Sequence, residues 1–489
     1  MDRPESAPAP ARVSCGNPSP PPARSGGVIA RPLDLSRPLH VHLLGIGGVG
    51  VSAVARLLLQ RGFPVSGSDV RESSITLALR AEGATVTIGH SPANLAGAEL
   101  VVVSTAIPET NPELIAARQS GMPVVHRSEV LGGLMVGRRA IGVTGTNGKG
   151  SVSALVAFLL DRAGLRPSFA IGAMLLDFAT NAREGGGPHL VCELDESDGS
   201  FENTWPDRLV VNNLEADHLN YYKDLEGLLR HFATYLATPE SPRLLHVFGD
   251  DANCRDVLRR AGRTAITFGR DAGTDYRMTA LVLEGFGSRF TVSGPRGDLG
   301  DFVLNLPGEH NAMNAVAALS VVLEEGADLE ACRAALPTFQ GLENRFTLVR
   351  AGRHLVVKDY ISHPAGIRSV LAGAKAFAPG RVVAVFKPYR FTMIHYLGDE
   401  YGTAFADAGL TLVTELYTAG EVPIPGVDAP WLVEKIRSAG SEVQFVPAMG
   451  DLLGVLRDRV AGDDTVIFFG GDDLFALADS FAAELQAKA

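Results

Sequence analysis

The chain has 489 residues, of which 46% are hydrophobic and 20% are charged, and its formal net charge is −11. A chain of this length exceeds what one hydrophobic core supports, so two to four domains are predicted. The negative charge argues against a general basic face for nucleic acid. The four cysteines include no C-x-x-C pair, which argues against a disulfide framework or zinc site and is typical of a reducing cytoplasm.

Residues 1–37 are rich in proline, alanine, serine and arginine. Proline at this density does not build a packed element, so the sequence predicts a disordered tail. The tail has no apolar segment of the kind found in signal peptides. No later stretch approaches 18 uninterrupted apolar residues, so we expect no membrane span and a cytoplasmic location.

Residues 38–135 alternate between apolar runs and a helical pattern, which predicts a small parallel α/β domain. The first run leads into residues 45–50, GIGGVG, which have the form G-x-G-x-x-G, and Asp69 ends the next predicted strand. Such glycines let the backbone approach a diphosphate at a helix N-terminus. Taken alone, this pattern is compatible with an NAD-dependent dehydrogenase, with another diphosphate ligand, or with a turn that binds nothing.

A second α/β unit is predicted over residues 136–336, where a strand leads through residues 143–152, VTGTNGKGSV, into a helix. The usual phosphate loop reads G-x-x-x-x-G-K-[ST]. Here a glycine follows Lys149, and the hydroxyl comes one residue later, at Ser151. The lysine and the loop N–H groups still suit the phosphates of ATP, although a glycine turn with a surface lysine is the simpler alternative.

Acidic residues follow two later strands of this unit. Residues 192–198 read CELDESD, and residues 213–218 read NLEADH. Mg²⁺ favours a few hard carboxylates together with substrate phosphates and water. Either segment alone could be a solvated acidic loop, but their position after a phosphate loop favours a metal site.

A third unit is predicted over residues 337–489, where the apolar strands HLVVKDY, RVVAVFKPY, LTLVTELY and DTVIFFGG alternate with helices. Each strand ends in polar or glycine residues, where open α/β sheets bind ligands. The predicted fold class is therefore α/β with three domains. The first and third are Rossmann-like, and the central one is of the P-loop ATPase type.

Many segments of the chain between His40 and about Leu474 occur in one characteristic order, among them GTNGK, ELDESDGSF, NNLEADHLNYY, GEHNAMNA, FQGLENRF and YTAGE. In these segments the chain resembles the Mur ligase family, and most closely its alanine-adding members. The resemblance implies a monomeric or homodimeric ATP- and Mg²⁺-dependent ligase that binds UDP-N-acetylmuramate and L-alanine. It would act in peptidoglycan synthesis, and hence in cell-wall biogenesis, cell shape and cell division, without NAD.

The resemblance also implies a role for each matching residue. The UDP part of the substrate would be bound by Gly47, Gly48, Asp69, Ser104 and Thr105. ATP would be bound by Gly145, Thr146, Asn147, Gly148, Lys149, Gly150, Ser151, Asn311, Asn314, Arg345 and Asp359. Mg²⁺ would be bound by Ser151, Glu193 and His218, and catalysis would depend on Lys149, His363 and Arg390.

Three motifs depart from the alanine-adding pattern. The usual GTHGKT[TS] is GTNGKGS here, which is closer to folylpolyglutamate synthases, the usual DDYAHHP is KDYISHP at residues 358–364, and the usual HPHRYTR is KPYRFTM at residues 387–393. Two alternatives therefore stay open. The chain could be a Mur- or folylpolyglutamate-type ligase with another acceptor, or a non-catalytic paralogue that binds a nucleotide sugar.

Overall fold

The computed structural model describes residues 32–238, 242–351 and 354–487. Most of the predicted tail lies outside the described residues, and only residues 32–37 of it can be assessed. Leu33 and Leu35 already pack against the core of the first domain. The domain boundaries given above remain predictions.

The first sheet is built from β1 (Val41–Leu44), β2 (Val65–Asp69), β3 (Thr85–Ile88), β4 (Leu100–Val103) and β5 (Val124–His126). All pairs are parallel, in the order β3-β2-β1-β4-β5. The associated helices are α1 (Val49–Gln60), α2 (Ser74–Ala81), α3 (Pro112–Gln119) and α4 (Arg127–Met135), with a 3₁₀ helix at Pro92–Leu95. The connections reverse direction between β1 and β4, which is where open sheets form a ligand crevice.

The central sheet has ten strands. They are β6 (Arg139–Thr144), β7 (Ser168–Leu175), β8 (Thr180–Arg183), β9 (His189–Glu193), β10 (Arg208–Val211), β11 (Leu244–Phe248), β12 (Ile266–Gly269), β13 (Tyr276–Glu284), β14 (Gly287–Gly294) and β15 (Gly297–Leu304). Their order is β15-β14-β13-β12-β11-β10-β6-β9-β7-β8. Strand β6 thus lies between β10 and β9, so the loop after β6 has the ends of two strands beside it.

The helices of the central domain pack on this sheet. They are α5 (Lys149–Arg162), α6 (Leu219–Tyr222), α7 (Leu225–Leu236), α8 (Ala252–Ala261), α9 (Glu309–Glu324) and α10 (Leu329–Ala335), with 3₁₀ helices at Ser200–Asn203 and Leu336–Thr338. Helices α5 and α9 are almost entirely buried, which explains why both sequences are apolar on every side. They form a core with one face of the sheet.

The third sheet is built from β16 (Thr347–Ala351), β17 (His354–Asp359), β18 (Val382–Phe386), β19 (Leu410–Val413), β20 (Val443–Phe445) and β21 (Thr465–Phe469). Its order is β16-β17-β21-β18-β19-β20, and only the β16–β17 pair is antiparallel. Its helices are α11 (Pro364–Phe377), α12 (Phe391–Tyr396), α13 (Gly398–Ala404), α14 (Ala429–Ser438), α15 (Met449–Arg459) and α16 (Asp472–Ala487). Because helices cover both faces, β18 and β21 are continuously apolar.

The predicted α/β class with three domains in series is confirmed. The antiparallel strands β8, β14 and β15 extend the central sheet beyond the predicted parallel units. Among the described residues, no helix is both long and apolar enough to cross a bilayer.

Candidate functional site

A cavity of about 900 Å³ lies between the central and third domains. It is lined by loops at the carboxyl ends of strands in both sheets, where such sheets bind ligands. The site residues predicted from the sequence that line it are Thr146, Asn147, Gly148, Lys149, Gly150, Ser151, Glu193, His218, Asn311, Asn314, Arg345, Asp359, His363 and Arg390. The structure therefore brings the predicted metal and catalytic residues, and all the predicted ATP residues except Gly145, to one cleft.

The residues predicted to hold UDP form a separate group at the crevice of the first sheet. The Gly47 N–H donates to the Asp69 carboxylate at 2.9 Å, which ties the glycine loop to the end of β2. Ser104 and Thr105 follow β4, the neighbour of β1. None of these residues lines the large cavity, but Arg71, two residues beyond Asp69, does.

The loop after β6 is fixed by the segment that follows β10. The Asn147 N–H donates to the Asn213 side chain at 2.8 Å, and its side-chain amide donates to Glu215 at 3.2 Å. Asn212 and Asn213 both donate to the Asn147 carbonyl, at 2.8 and 2.9 Å. The asparagine that replaces the usual histidine is thus hydrogen-bonded to the segment after β10.

Gly148 begins helix α5 with φ +80°, a left-handed conformation that favours glycine. A Cβ at this position would lie 2.6 Å from the Asn212 side-chain nitrogen and 2.7 Å from the Asn314 oxygen. The loop therefore packs directly on α9, with Asn314 beneath it. Asn311 donates instead to the Pro307 carbonyl at 2.8 Å.

The Lys149 ammonium is bound within the chain. It donates to the Gly145 carbonyl and to Glu196, both at 2.8 Å, and lies 3.4 Å from the Thr146 carbonyl. Burial lowers the pKa of Lys149, but the carboxylates of Glu196 and Asp195 raise it further, so the ammonium stays charged. A charged lysine beside a helix N-terminus can bind phosphates once they replace these partners.

Two adjacent acids below this lysine have opposite pKa shifts. Burial and the neighbouring Asp195 raise the pKa of Glu196 to about 8, against the effect of Lys149. Burial also opposes ionisation of Asp195, but Lys149 and Arg127 hold its pKa at about 2. Asp195 is therefore ionised, and one oxygen of Glu196 is buried without a hydrogen-bond partner.

Glu193 lies against the phosphate loop because β9 pairs with β6 in a register that places it opposite Val143. Its carboxylate accepts a hydrogen bond from the Gly172 N–H at 2.7 Å. A Cβ at Gly172 would be 2.9 Å from that carboxylate, and a Cβ at Gly150 would be 3.2 Å from it. Gly172 and Gly150 thus leave space for the Glu193 carboxylate. This gives a physical reason why glycine follows Lys149.

The cavity offers two oxygen donors of the kind that Mg²⁺ prefers, in Glu193 and Ser151. Glu193, His218 and the Ser151 hydroxyl line the same cavity. Burial, Lys149 and Arg390 keep the pKa of His218 below its usual value, against the effect of Asp217, and the neutral imidazole is the form that binds metals. No cluster of three or more His, Cys, Asp or Glu side chains suited to a metal occurs among the described residues. A cation here would need phosphate and water ligands, as Mg²⁺ prefers.

The third domain contributes residues at the ends of its central strands. Asp359 is buried and accepts hydrogen bonds from the Phe346 and Ile361 N–H groups, at 3.1 and 3.0 Å. Its burial raises the pKa to about 6, although Arg345 opposes this. Both carboxylate oxygens are thus already bound by backbone N–H groups close to the domain junction.

His363 connects the third domain to the central one. Its Nε2 lies 3.3 Å from the Ala216 carbonyl, and its Nδ1 lies 3.5 Å from Glu215. Nδ1 also accepts the Ala365 N–H at 3.3 Å and so caps helix α11. In this arrangement both ring nitrogens are occupied.

The altered third-domain motifs have new partners. Lys358 forms an ion pair with Asp479 at 2.7 Å, and Lys387 forms one with Asp473. Tyr389 stacks on Tyr417 with ring centroids 5.5 Å apart. Lys358, Lys387 and Tyr389, which replace the usual residues, therefore pair with neighbouring side chains of the third domain.

Several residues of the site were not predicted. Glu196 lies in the acidic segment noted in the sequence, but its pairing with Lys149 depends on the sheet order. Asn212, Asn213 and Gly172 contact the loop or Glu193 only because β10, β6, β9 and β7 are neighbours. Tyr417 lies in the YTAGE segment, which indicated the family but no site residue.

Three family models cover most of the chain. The model described as "Mur ligase family, catalytic domain" matches residues 40–139. That of the "Mur ligase middle domain" matches residues 143–322, and that of the "Mur ligase, glutamate ligase domain" matches residues 344–471. The order of the matches follows the order of the three sheets.

Relatives of full length are also found. A UDP-N-acetylmuramate–L-alanine ligase of Bradyrhizobium sp. (strain ORS 278) is 38% identical over 464 residues, which are 91% of this chain and 98% of the relative. An enzyme of the same name from Sorangium cellulosum (strain So ce56) is 38% identical and covers 92% of this chain and 97% of its own.

A solved structure has the same fold over nearly the whole chain. The UDP-N-acetylmuramate–alanine ligase MurC of Thermotoga maritima matches with a TM-score of 0.78 and 26% identity, over 92% of this chain and all of that one. A murein peptide ligase of Psychrobacter arcticus, at 23% identity and a TM-score of 0.67, shares the fold. With three family models in order and relatives matched end to end, the resemblance seen in the sequence is confirmed, and the chain belongs to the Mur ligase family.

Proposed function

We propose that this protein is an ATP-dependent acid–amino-acid ligase that joins L-alanine to the lactyl carboxylate of UDP-N-acetylmuramate. The product is a peptidoglycan precursor. The observation that carries the proposal is the shared cleft, in which the phosphate loop with Lys149 faces His363 and Arg390 of the third domain. The choice of substrates is supported by the relatives of that name, which are 36–38% identical along most of the chain.

A ligase needs ATP because a carboxylate is a poor electrophile. In the proposed reaction, the lactyl carboxylate attacks the γ-phosphorus of ATP, the bond to the bridging oxygen breaks, and ADP leaves. The resulting acyl phosphate is attacked by the neutral amine of the acceptor. The tetrahedral intermediate expels inorganic phosphate, and the proton of the amine passes to a base or to water.

The chain would supply positioning and charge to these steps. Lys149 would exchange its contacts with Gly145 and Glu196 for the phosphates of ATP, where it neutralises charge in the phosphoryl transfer. Mg²⁺ held by Glu193, His218 and Ser151 would add to that neutralisation. Arg390 would bind the acceptor. His363 is proposed as the base, which requires that domain movement release a ring nitrogen.

The remaining expectations belong to the same proposal. UDP would bind at the crevice of the first sheet, at Gly47, Gly48, Asp69, Ser104 and Thr105. Asn311, Asn314, Arg345 and Asp359 would lie around the nucleotide of ATP. The enzyme would act in the cytoplasm as a monomer or homodimer. A dehydrogenase activity is no longer supported, because the chain belongs to a ligase family.

A ligase of the same family with another acceptor is the second candidate. It is favoured by the replacements at Ser362, Tyr389 and Met393, which line the cleft where the acceptor would bind. A solved structure described as a ligase of UDP-N-acetylmuramate and an alanyl-glutamyl-diaminopimelate peptide matches 63% of this chain at 26% identity. The acceptor could therefore be another amino acid or a short peptide.

ADP release measured with purified protein, ATP, Mg²⁺ and UDP-N-acetylmuramate tests these proposals. The acceptors are the twenty amino acids and the tripeptide, each added singly, with a reaction lacking the sugar nucleotide as control. Release that depends on alanine supports the first candidate, and release with another acceptor supports the second. No release with any acceptor, despite binding of the sugar nucleotide, would contradict both and indicate a non-catalytic paralogue.

A further inference from the structure

The Arg390 guanidinium lies in the cleft without an anionic partner. Its Nε is buried without a hydrogen-bond acceptor, and it forms no salt bridge within the part of the chain that the structure describes. Among the described residues, its one polar side-chain contact is the Tyr389 hydroxyl at 3.5 Å. Arg390 also lines a smaller cavity next to His218. A guanidinium with unused donors is suited to a carboxylate, which it can bind through two parallel hydrogen bonds.

The backbone of Arg390 is strained. Its φ is +64°, a left-handed conformation that a residue with a side chain rarely adopts. Two hydrogen bonds to Tyr417 hold the strained segment. The Arg390 N–H donates to the Tyr417 carbonyl at 2.9 Å, and the Tyr417 N–H donates to the Pro388 carbonyl at 2.8 Å. Tyr389 lies between these bonds, in a parallel bridge with Tyr417.

The side chains of this segment also pack against Tyr417. The Arg390 guanidinium lies 5.0 Å from the centre of the Tyr389 ring, and the Tyr389 ring stacks on Tyr417 at 5.5 Å with 21° between the planes. The Lys387 ammonium lies 5.5 Å from the centre of the Tyr417 ring and forms an ion pair with Asp473. The two stacked rings and the two cations thus form one stack, and all four side chains line the cleft.

We propose that Tyr389 and Tyr417 are positioning residues that hold Arg390 as the anchor for the carboxylate of the acceptor. The inference rests on the proposed ligase function and adds residues that act through Arg390. At position 393 the chain has Met393, which has no charge to offer the carboxylate, so one guanidinium has to bind it. The stack limits the rotamers of that guanidinium, which lowers the entropy lost on binding.

Steady-state kinetics on the full chain test the proposal, with the acceptor that gives ADP release in the wild type. Tyr389→Ala should raise the KM for the acceptor roughly tenfold, the size expected for losing a partly desolvated cation–aromatic contact. The KM values for ATP and for UDP-N-acetylmuramate should stay within about twofold. Tyr389→Phe should restore the acceptor KM because it keeps the ring. Tyr417→Ala and Tyr417→Phe should behave in the same way.

The matched control is Trp431→Ala, which removes another cation–aromatic pair of the third domain, with Lys435 at 5.3 Å, outside the cleft. It should leave all three KM values unchanged. An unchanged acceptor KM in both alanine variants would overturn the positioning role while leaving the ligase function standing. A rise in the KM for ATP instead would mean that Arg390 binds phosphate. A wild type that ligates no acceptor would refute the proposed function together with this inference.

Discussion

The side chain of Lys149 has the clearest expected effect of any single residue. In the structure its ammonium is bound by Gly145, Thr146 and Glu196, so it is already directed to the phosphate side of the loop. Lys149→Ala should lower the rate of ADP release about 100- to 1,000-fold, as when one charge-stabilising group is removed from an active site. Affinity for UDP-N-acetylmuramate, measured by calorimetry, should be nearly unchanged, because that ligand is proposed to bind at the first sheet.

The control for this variant is Lys375→Ala, since Lys375 lies on the surface of α11 and pairs with Asp407. Normal turnover by Lys149→Ala would mean that the loop after β6 is not the ATP loop. Loss of sugar-nucleotide binding would mean that the two sites are not separate.

Gly150 allows a test of the proposed Mg²⁺ site at Glu193. A Cβ at this position would lie 3.2 Å from the Glu193 carboxylate and 3.1 Å from Leu342, so both would have to shift by a few tenths of an ångström. Gly150→Ala should raise the Mg²⁺ concentration for half-maximal activity about tenfold, the effect typical of disturbing a residue beside a metal ligand. The control is Gly454→Ala, where a Cβ meets nothing within 4 Å. An unchanged Mg²⁺ requirement would argue that Glu193 is not a metal ligand.

Among single residues, the sequence alone predicted those that lie within local motifs. It did not predict those that come together only because their strands are neighbours in the sheet. The loop at residues 143–152 and the acids after two strands were identified, because each lies within a few residues of a glycine turn or a strand end. Gly172 and Asn212 were not, because their relation to the loop depends on strand order, which is not encoded in any local pattern.

Helix α9 ends in a buried charge cluster on the side of the central sheet away from the cleft. Glu325, directly after the helix, lies 2.8 Å from Arg208, 2.7 Å from Arg139 and 3.0 Å from His189. Burial raises the pKa of Glu325, but His189 and the arginines lower it more, to about 2. The acid thus anchors the C-terminus of α9 to three strands.

Glu325→Gln should lower the free energy of unfolding by about 3 kcal/mol at pH 7, because Arg208 is left buried without its counter-ion. The folded pKa lies below the unfolded value of 4.5, so this stabilisation is present above pH 4.5 and is lost as the pH falls towards about 2. Urea unfolding of variant and wild type from pH 7 to pH 3 measures the difference. Glu330→Gln, at an exposed pair with Arg333, is the control. A difference that does not depend on pH would refute the ionic explanation.

Helices and strands that are buried on all sides could be predicted from the sequence. Strands such as β18 and β21, and helices α5 and α9, are apolar on all sides and bounded by glycine or polar residues. The antiparallel ribbon β13–β15 was not predicted. One face of it is exposed and its partners are set by hairpin pairing, so its sequence lacks the long apolar run of the central strands.

Across the whole molecule, the first and central domains form one unit. A single core cluster contains residues of both, and α1 of the first domain packs on β7 and β8 of the central one. Arg56 is buried between them and binds Glu82 and Asn181. Because this interface is continuous with the core, we expect no relative motion there.

The third domain has its own core clusters, against one of which Ala216 and Phe286 of the central domain pack, and a short segment of chain connects it to the central domain. In that segment Asn344 and Phe346 have φ values of +57° and +50°. The Asp359 carboxylate holds the strained backbone by accepting the Phe346 N–H. The cleft of about 900 Å³ is lined by residues of the central and third domains, so rotation about this junction would change its width. The sequence predicted three domains. It did not predict which two of them share a core, because that depends on packing between distant segments.

Asp359→Asn tests whether this junction controls closure. An amide can accept at one atom only, so the variant loses one of the two backbone hydrogen bonds that Asp359 accepts, at a cost of about 1.5–3 kcal/mol, and the junction is held less firmly. Adding a non-hydrolysable ATP analogue and UDP-N-acetylmuramate should reduce the radius of gyration of the wild type in small-angle X-ray scattering, and reduce that of the variant less. Asp479→Asn, in the exposed pair with Lys358, should compact like the wild type. Equal compaction of all three would show that Asp359 does not control the junction.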